Sequence, residues 1–272
     1  MKKWIYNALI VLFAAVFLIS GGLLLNYYIE GRQQENRYDQ LAALKETVTP
    51  RPTIAQTDEP ATEPTAPQYV EVTDPETGNT LSVLPEFAEL YLQNHHIVGW
   101  LTVPGTVIDY PVMQTPNDPD YYLHRNFDKE DSKRGCLYVW PESDVFAPSD
   151  NVTIYGHHMR DGSMFGQLDK YRDPGFRAEN PYIYFDTLQS LHTYEVMAVF
   201  LTTASVGQGF AYHAFVEAAD EQAFHDFVAQ VEDLRLYDTG VTAAYGDKLI
   251  CLSTCEYSQT NGRLVVVAKR VA

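Results

Sequence analysis

The stretch LSTCEYSQTNGRLVVVAKR, Leu252 to Arg270, puts a thiol and a guanidinium at the two ends of one polar loop. The apolar residues before Cys255 and those after Arg263 read as two β-strands. If these strands form a hairpin across the Glu256–Gly262 loop, Cys255 and Arg263 come side by side at one end. A sulfur at the end of a strand is accessible yet firmly held. A thiol needs a base or a cation to become a thiolate near neutral pH. NVTIYGHHM offers a base: a strand ends at Gly156, and His157 and His158 follow at its rim. A guanidinium beside the sulfur donates hydrogen bonds to a carbonyl oxygen as it becomes an oxyanion. A cysteine, a histidine and an arginine on strand ends suit acyl transfer through a thioester.

Each residue also has a plainer reading. An adjacent histidine pair is often a pair of surface loop residues, and Arg263 has Glu256 as a cross-strand charge partner. A metal site is an alternative for His95, His96, His157, His158 and the cysteines. However, the Cys-x-x-x-Cys and His-His spacings match no common zinc pattern. The scattered acids form no calcium loop, so no metal and no cofactor are expected. The chain has three cysteines, an odd count that leaves at least one free or paired with another chain. Cys251 and Cys255 on an extended strand have Cα atoms about 13 Å apart, whereas a disulfide needs less than about 7 Å. Those two therefore stay unpaired with each other. Cys136, in GCLYVW, reads as a small buried strand residue.

The elements that would position these groups follow from patterning. LPEFAELYLQNHH has a proline at a helix start and apolar residues at helical spacing from Phe87. IVGWLTVPGTVIDYPVMQ gives short strands broken at Pro104-Gly105. GCLYVWPE, NVTIYGHHM, PYIYFDT, HTYEVMAVFLTTA, KLICLSTC and RLVVVAKRV are further strands. One amphipathic helix interrupts them: in DEQAFHDFVAQVEDLRL, Phe224, Phe227, Val228, Val231 and Leu234 share a face. Many strands, few helices and no βαβ rhythm predict a mainly β fold of α+β type, a barrel or sandwich with appended helices.

Ahead of that domain the composition changes twice. Residues 4–29, WIYNALIVLFAAVFLISGGLLLNYYI, carry no charge and are long enough to cross a bilayer. LISGG resembles a weak cleavage site, but LLLNYY carries the apolar run past it, which predicts an uncleaved anchor. Residues 1–3 form a cytoplasmic stub, with Lys2 and Lys3 held inside; Trp4, Tyr27 and Tyr28 stand where interfacial aromatics belong. Residues 30–80 read as an extracytoplasmic stalk. A short helix is expected over Asn36–Val48, then a Pro/Thr-rich extended tract that cannot bury a core. Residues 81–272 are the catalytic domain. The net charge of −17, without a basic run, excludes nucleic acid as a partner.

The strings VGWLTVPGTVIDYPV, YYLHRNF, NVTIYGHHMRDGSMFGQL and LSTCEYSQTNGRLVVVAKR resemble the sortases, class B in particular, over about residues 94–272. The resemblance implies a closed eight-stranded β-barrel with an N-terminal helical extension and a helix between the sixth and seventh strands. It puts the catalytic roles on Cys255, His157 and Arg263 and leaves His158 without one. It implies substrate contacts at Ser253 and Glu256, two before and one after the cysteine, with Thr254 between. Tyr212, in the specificity loop GQGFAYHAFVEAAD, is a further candidate. It implies a membrane-tethered cysteine transpeptidase that cleaves a C-terminal sorting signal after threonine and passes the acyl group to an amine. The partners would be sorting-signal-bearing surface proteins or pilins, with a peptidoglycan or pilin-lysine amine as acceptor. A hydrolytic cysteine peptidase and a non-catalytic stalked adhesin are the competing readings.

Overall fold

The computed structural model describes residues 3–45, 68–205 and 207–272. Most of the tract expected to be an extended stalk therefore lies outside the described residues. The chain divides into two compact units, Met1–Gln40 and Leu41–Ala272.

Helix α1, Lys3–Leu44, supplies the first unit. Its Phe13, Phe17, Ile19 and Leu24 are exposed, and it is long and apolar enough to cross a membrane. A helix that is apolar on all sides has no aqueous partner for its side chains; hydrocarbon is the solvent that suits it. The separate helix expected from Asn36 does not exist as such. Residues 30–44 contain no proline and a single glycine, so nothing breaks the backbone ladder before Leu44.

The second unit contains a hairpin that begins inside residues 30–80, the span expected to be stalk. Strands β1, Val70–Thr73, and β2, Thr80–Val83, pair antiparallel. The buried Asp74 carboxylate accepts from the Glu76 amide and the Thr77 hydroxyl in their turn. Helix α2, Pro85–Gln93, starts on its proline, where no amide hydrogen is needed, and buries Phe87, Leu90 and Tyr91.

Eight strands then close into a barrel: β3 Ile97–Thr102, β4 Asp109–Met113, β5 Leu137–Val139, β6 Asn151–Tyr155, β7 Tyr182–Thr187, β8 Thr193–Thr203, β9 Leu249–Glu256 and β10 Gly262–Arg270. Their order around the barrel is β10-β8-β7-β3-β4-β5-β6-β9. Two neighbours run parallel, β4 with β5 and β6 with β9; the other pairings are antiparallel. The fold expected from the sequence is thus present. Cys136 lies just before β5 and is buried, its amide donating to the Tyr122 carbonyl.

A short helix α3, Pro174–Glu179, follows a 3-10 segment, Phe165–Arg172. Helix α4, Glu221–Leu234, falls between the sixth and seventh barrel strands. Asp220 caps it by accepting from the Ala223 amide. Its buried stripe of Phe224, Phe227, Val228 and Val231 packs on Met197, Cys251, Val265 and Val267. Each such side chain contributes about 1.5–3 kcal/mol on burial. Leu234, expected in that stripe, is exposed. The helix ends at that residue, and the chain turns so that Arg235 bridges Phe200 and the Leu236 amide reaches Val199 of β8. Its side chain is left outside.

Candidate active site

Strand register brings the chemistry together. Arg263 is the antiparallel partner of Cys255. On the other side of β9, the parallel pairing sets Tyr155 against Ser253. Two residues beyond that pair stand His157, just past the end of β6, and Cys255 on β9, and both line one cavity. The junction is tied where β6 ends: the Gly156 amide donates to the Ser253 carbonyl at 3.2 Å, and the Thr254 hydroxyl to the Gly156 carbonyl at 2.8 Å. A Cβ on Gly156 would lie 2.5 Å from Leu137 and 2.8 Å from the Phe165 ring. Glycine is required here for close packing, and that approach turns the chain so that His157 reaches the rim.

The His157 imidazole has a defined tautomer. Its Nε2 lies 2.8 Å from the Leu123 carbonyl oxygen, which can only accept, so Nε2 carries a hydrogen. In neutral His157 the nitrogen that takes up a proton is then Nδ1. Leu123 ends the 3-10 segment Tyr121–Leu123, which the fully buried Tyr122 pins from below. Asn94 Nδ2 donates to the Tyr122 hydroxyl at 2.8 Å, and His96 Nδ1 lies 3.0 Å from the same oxygen.

Arg263 donates to the carbonyls of Asn261 and Gly262 at 3.3 and 3.0 Å. It has no carboxylate partner among the described residues. The cross-strand pair with Glu256 is not formed. Glu256 accepts from the Ser258 amide and hydroxyl at 3.0 and 2.6 Å and faces Arg172 at 3.4 Å. Burial raises the Glu256 carboxyl; the Ser258 hydrogen bonds and Arg172 outweigh it and hold it below its ordinary value. Arg263 therefore has no neutralising carboxylate among the described residues.

His157, Cys255 and Arg263 line one cavity of about 80 Å³, open to solvent, together with Ser253 and Thr254. Leu123, Tyr138, Tyr155 and Gly156 complete the lining. Two sequence candidates do not line it. Tyr212 is buried behind Ser253, its hydroxyl hydrogen-bonded to Ser253 Oγ at 2.5 Å, and burial pushes its phenol up to about 12. Glu256 is turned toward Arg172. Leu123, Tyr138 and Tyr155 were not singled out from sequence. Tyr155 ends β6 two residues before His157, and Tyr138 is its cross-strand partner. None of the three cysteines forms a disulfide among the described residues. Cys136 and Cys251 are buried, and burial pushes the Cys251 thiol up strongly. Of the three, only Cys255 lines this cavity.

The chain as a whole has relatives among known proteins. The family model described as Sortase domain matches residues 101–271. Sortase B of Listeria monocytogenes is 34% identical over 191 residues, which cover 70% of this chain and 75% of that protein. Sortase B of Staphylococcus aureus is 30% identical over 189 residues, 69% of this chain and 75% of that protein. The crystal structure of sortase B from Bacillus anthracis in complex with AAEK1 superposes with a TM-score of 0.67 at 29% identity, covering 90% of this chain and 99% of that one. The S. aureus sortase B–substrate complex gives 0.64 at 29% identity, over 70% of this chain and 86% of that one.

Proposed function

Because this chain belongs to the sortase family, and within it to class B, we propose that it cleaves a C-terminal sorting signal after threonine and transfers the new acyl group to an amine. The observation that carries this reading is the convergence of Cys255, His157 and Arg263 on one open cavity, with Arg263 directly across the strand pair from Cys255. The Cys255 thiolate adds to the threonine carbonyl carbon. The oxyanion faces the Arg263 guanidinium, which has no carboxylate to surrender first among the described residues. The carbon–nitrogen bond breaks as His157 hands a proton to the leaving amine, and a thioester remains on Cys255. An incoming amine gives its proton to His157 and attacks the thioester; the new amide forms and the sulfur leaves as thiolate. Ser253 and Thr254 meet the peptide near the sulfur. Tyr212 and Glu256 act behind that layer, through Ser253 and the rim loop. The acceptor is an amine on peptidoglycan or a pilin lysine.

Helix α1 anchors the enzyme in the cell membrane, with Lys2 and Lys3 in the cytoplasm and the barrel outside. The apolar, exposed residues 4–29 support this. Protease added to intact cells should remove the barrel and spare the N-terminus.

The test of the chemistry is incubation of the enzyme with sorting-signal peptides, with and without an added amine. A trapped thioester on Cys255 and an amide product that appears only with the amine are expected. Release of free acid alone at every amine concentration would make the protein a hydrolase. A Cys255 inert to both peptide and iodoacetamide would favour the adhesin reading.

A further inference from the structure

His158 stands next to the proposed base, and the sortase resemblance gives it no role. Its Nε2 lies 2.7 Å from Asp169 Oδ2. A carboxylate accepts, so Nε2 donates; Nδ1 is buried with no hydrogen-bond partner among the described residues. The His158 ring meets the Tyr257 ring edge-on at 5.4 Å, and the Tyr257 hydroxyl donates to the His158 carbonyl at 3.3 Å. Tyr257 is two residues after Cys255.

The second half of the pattern lies on the same 3-10 segment as Asp169. Arg172 sits 3.9 Å from Asp169 and 3.4 Å from Glu256, the residue directly after Cys255. The His157 carbonyl is bonded too, accepting from the Phe165 amide at 3.0 Å, and His158 bridges Met164. One rigid piece, Phe165–Arg172, thus grips the residue after His157 through Asp169 and the residue after Cys255 through Arg172. Tyr257 closes the loop between the two grips.

We propose that Asp169 and Arg172 are positioning residues: they set the approach of the His157 imidazole to the Cys255 sulfur by clamping His158 and Glu256 to a common support. This rests on the reading of Cys255 and His157 as the reacting pair. Asp169 and Arg172 are both more than two-fifths exposed as side chains, and exposed ion pairs add little to folding stability. A displacement of about 1 Å between reacting groups can nevertheless cost on the order of a hundredfold in rate. The clamp therefore shows in turnover rather than in stability.

The experiment compares the full-length enzyme with Arg172→Ala, Arg172→Lys and Asp169→Asn, measuring peptide kcat and KM, Tm and the alkylation rate of Cys255 by iodoacetamide. The two loss variants should lower kcat roughly tenfold or more and leave KM within about twofold. Tm should move by less than about 2 °C. Arg172→Lys should recover most of the kcat, since it keeps the charge between Asp169 and Glu256. The alkylation rate should shift along with kcat, because it senses the imidazole near the sulfur without any peptide. The proposal is overturned if kcat stays within about twofold in both loss variants, if only KM changes, or if Tm falls in proportion to activity. Should Arg172→Ala fail to fold, Asp169→Asn, which preserves side-chain shape, decides by the same readouts. Cys255→Ala and His157→Ala run alongside. If they retain turnover, the underlying assignment fails; if they lose it while the clamp variants do not, only this inference fails.

Discussion

Cys251 and Cys255 are the same residue on the same face of the same strand, four positions apart, and they differ in almost everything that matters. Cys251 is fully buried under α4, within the cluster of Phe224, Phe227, Val228 and Val231, and burial pushes its thiol up. Cys255 lies past the edge of that cover, opposite Arg263 and in a cavity open to solvent. The strand supplies both with rigidity. What differs is what lies on top: a helix at one end, a polar loop with His157 and Arg263 at the other. Reactivity is assigned by the cover, not by the strand.

The largest expected effect tests that contrast directly. Cys255→Ala should reduce acyl transfer by roughly a thousandfold or more, since no other thiol reaches the cavity. Cys251→Ala should leave kcat within about twofold and cost about 1–2 kcal/mol of stability for the lost packing. Peptide turnover beside chemical denaturation of the two variants checks both. Turnover that followed Cys251 would reverse the comparison.

Lifting the cover should sharpen it. Phe224 is fully buried against the strand face that carries Cys251. Phe224→Ala should cost about 3–5 kcal/mol and make Cys251 measurably reactive to iodoacetamide below the melting point. Mass spectrometry of the alkylated protein reads which thiol is modified. If Cys251 remains inert in a folded Phe224→Ala variant, something other than burial protects it.

At the open end, the charge itself can be removed. Arg263 is without a carboxylate partner among the described residues, so its field is free for an oxyanion. Arg263→Ala should lower kcat by about 10²–10³, roughly 2.7–4 kcal/mol of transition-state stabilisation. Arg263→Lys should recover only part of that, because an ammonium cannot make the same forked contact. Single-turnover acylation rates check the order Arg, Lys, Ala.

The two ends of β9 were not equally legible in the sequence. The covered end was: the helical spacing of Phe224, Phe227, Val228 and Val231 and the apolar KLICL run announce a helix on a strand. At the open end, the Cys255–Arg263 pairing followed from a loop short enough to be a hairpin, and Gly156 before His157 marked a close approach. What pattern could not give was the partner of Arg263. Glu256 stands across the hairpin loop and is oppositely charged, yet it turns to Arg172, more than eighty residues away. The Leu123 carbonyl that fixes the His157 tautomer is likewise a backbone group from a distant 3-10 turn, and no residue type encodes it. Leu234 shows the same limit for the helix: periodicity assigns it a face, but where α4 ends is set by β8. Tyr155 is the last residue of β6, two before His157, so its place beside the candidate base could have been read from the sequence.

The smallest effect separates the ends by what holds them. The covered end is held by apolar packing, which pH hardly touches; the rim is held partly by titratable contacts. The Glu256 carboxyl is held below its ordinary value of 4.5 by Ser258 and Arg172, despite its burial. A lowered carboxyl contributes stability that is fully present above its unfolded value and is lost as pH falls through the folded one. The difference in stability between the unsubstituted enzyme and Glu256→Gln should therefore be full at pH 6–7, about 1 kcal/mol or less. It should shrink as pH drops below about 4.5. The corresponding difference for Phe224→Ala should stay flat over the same range. Urea titrations at several pH values read both. A Glu256→Gln difference that persisted unchanged at pH 3 would mean that shape, rather than charge, ties the loop after Cys255 to Arg172.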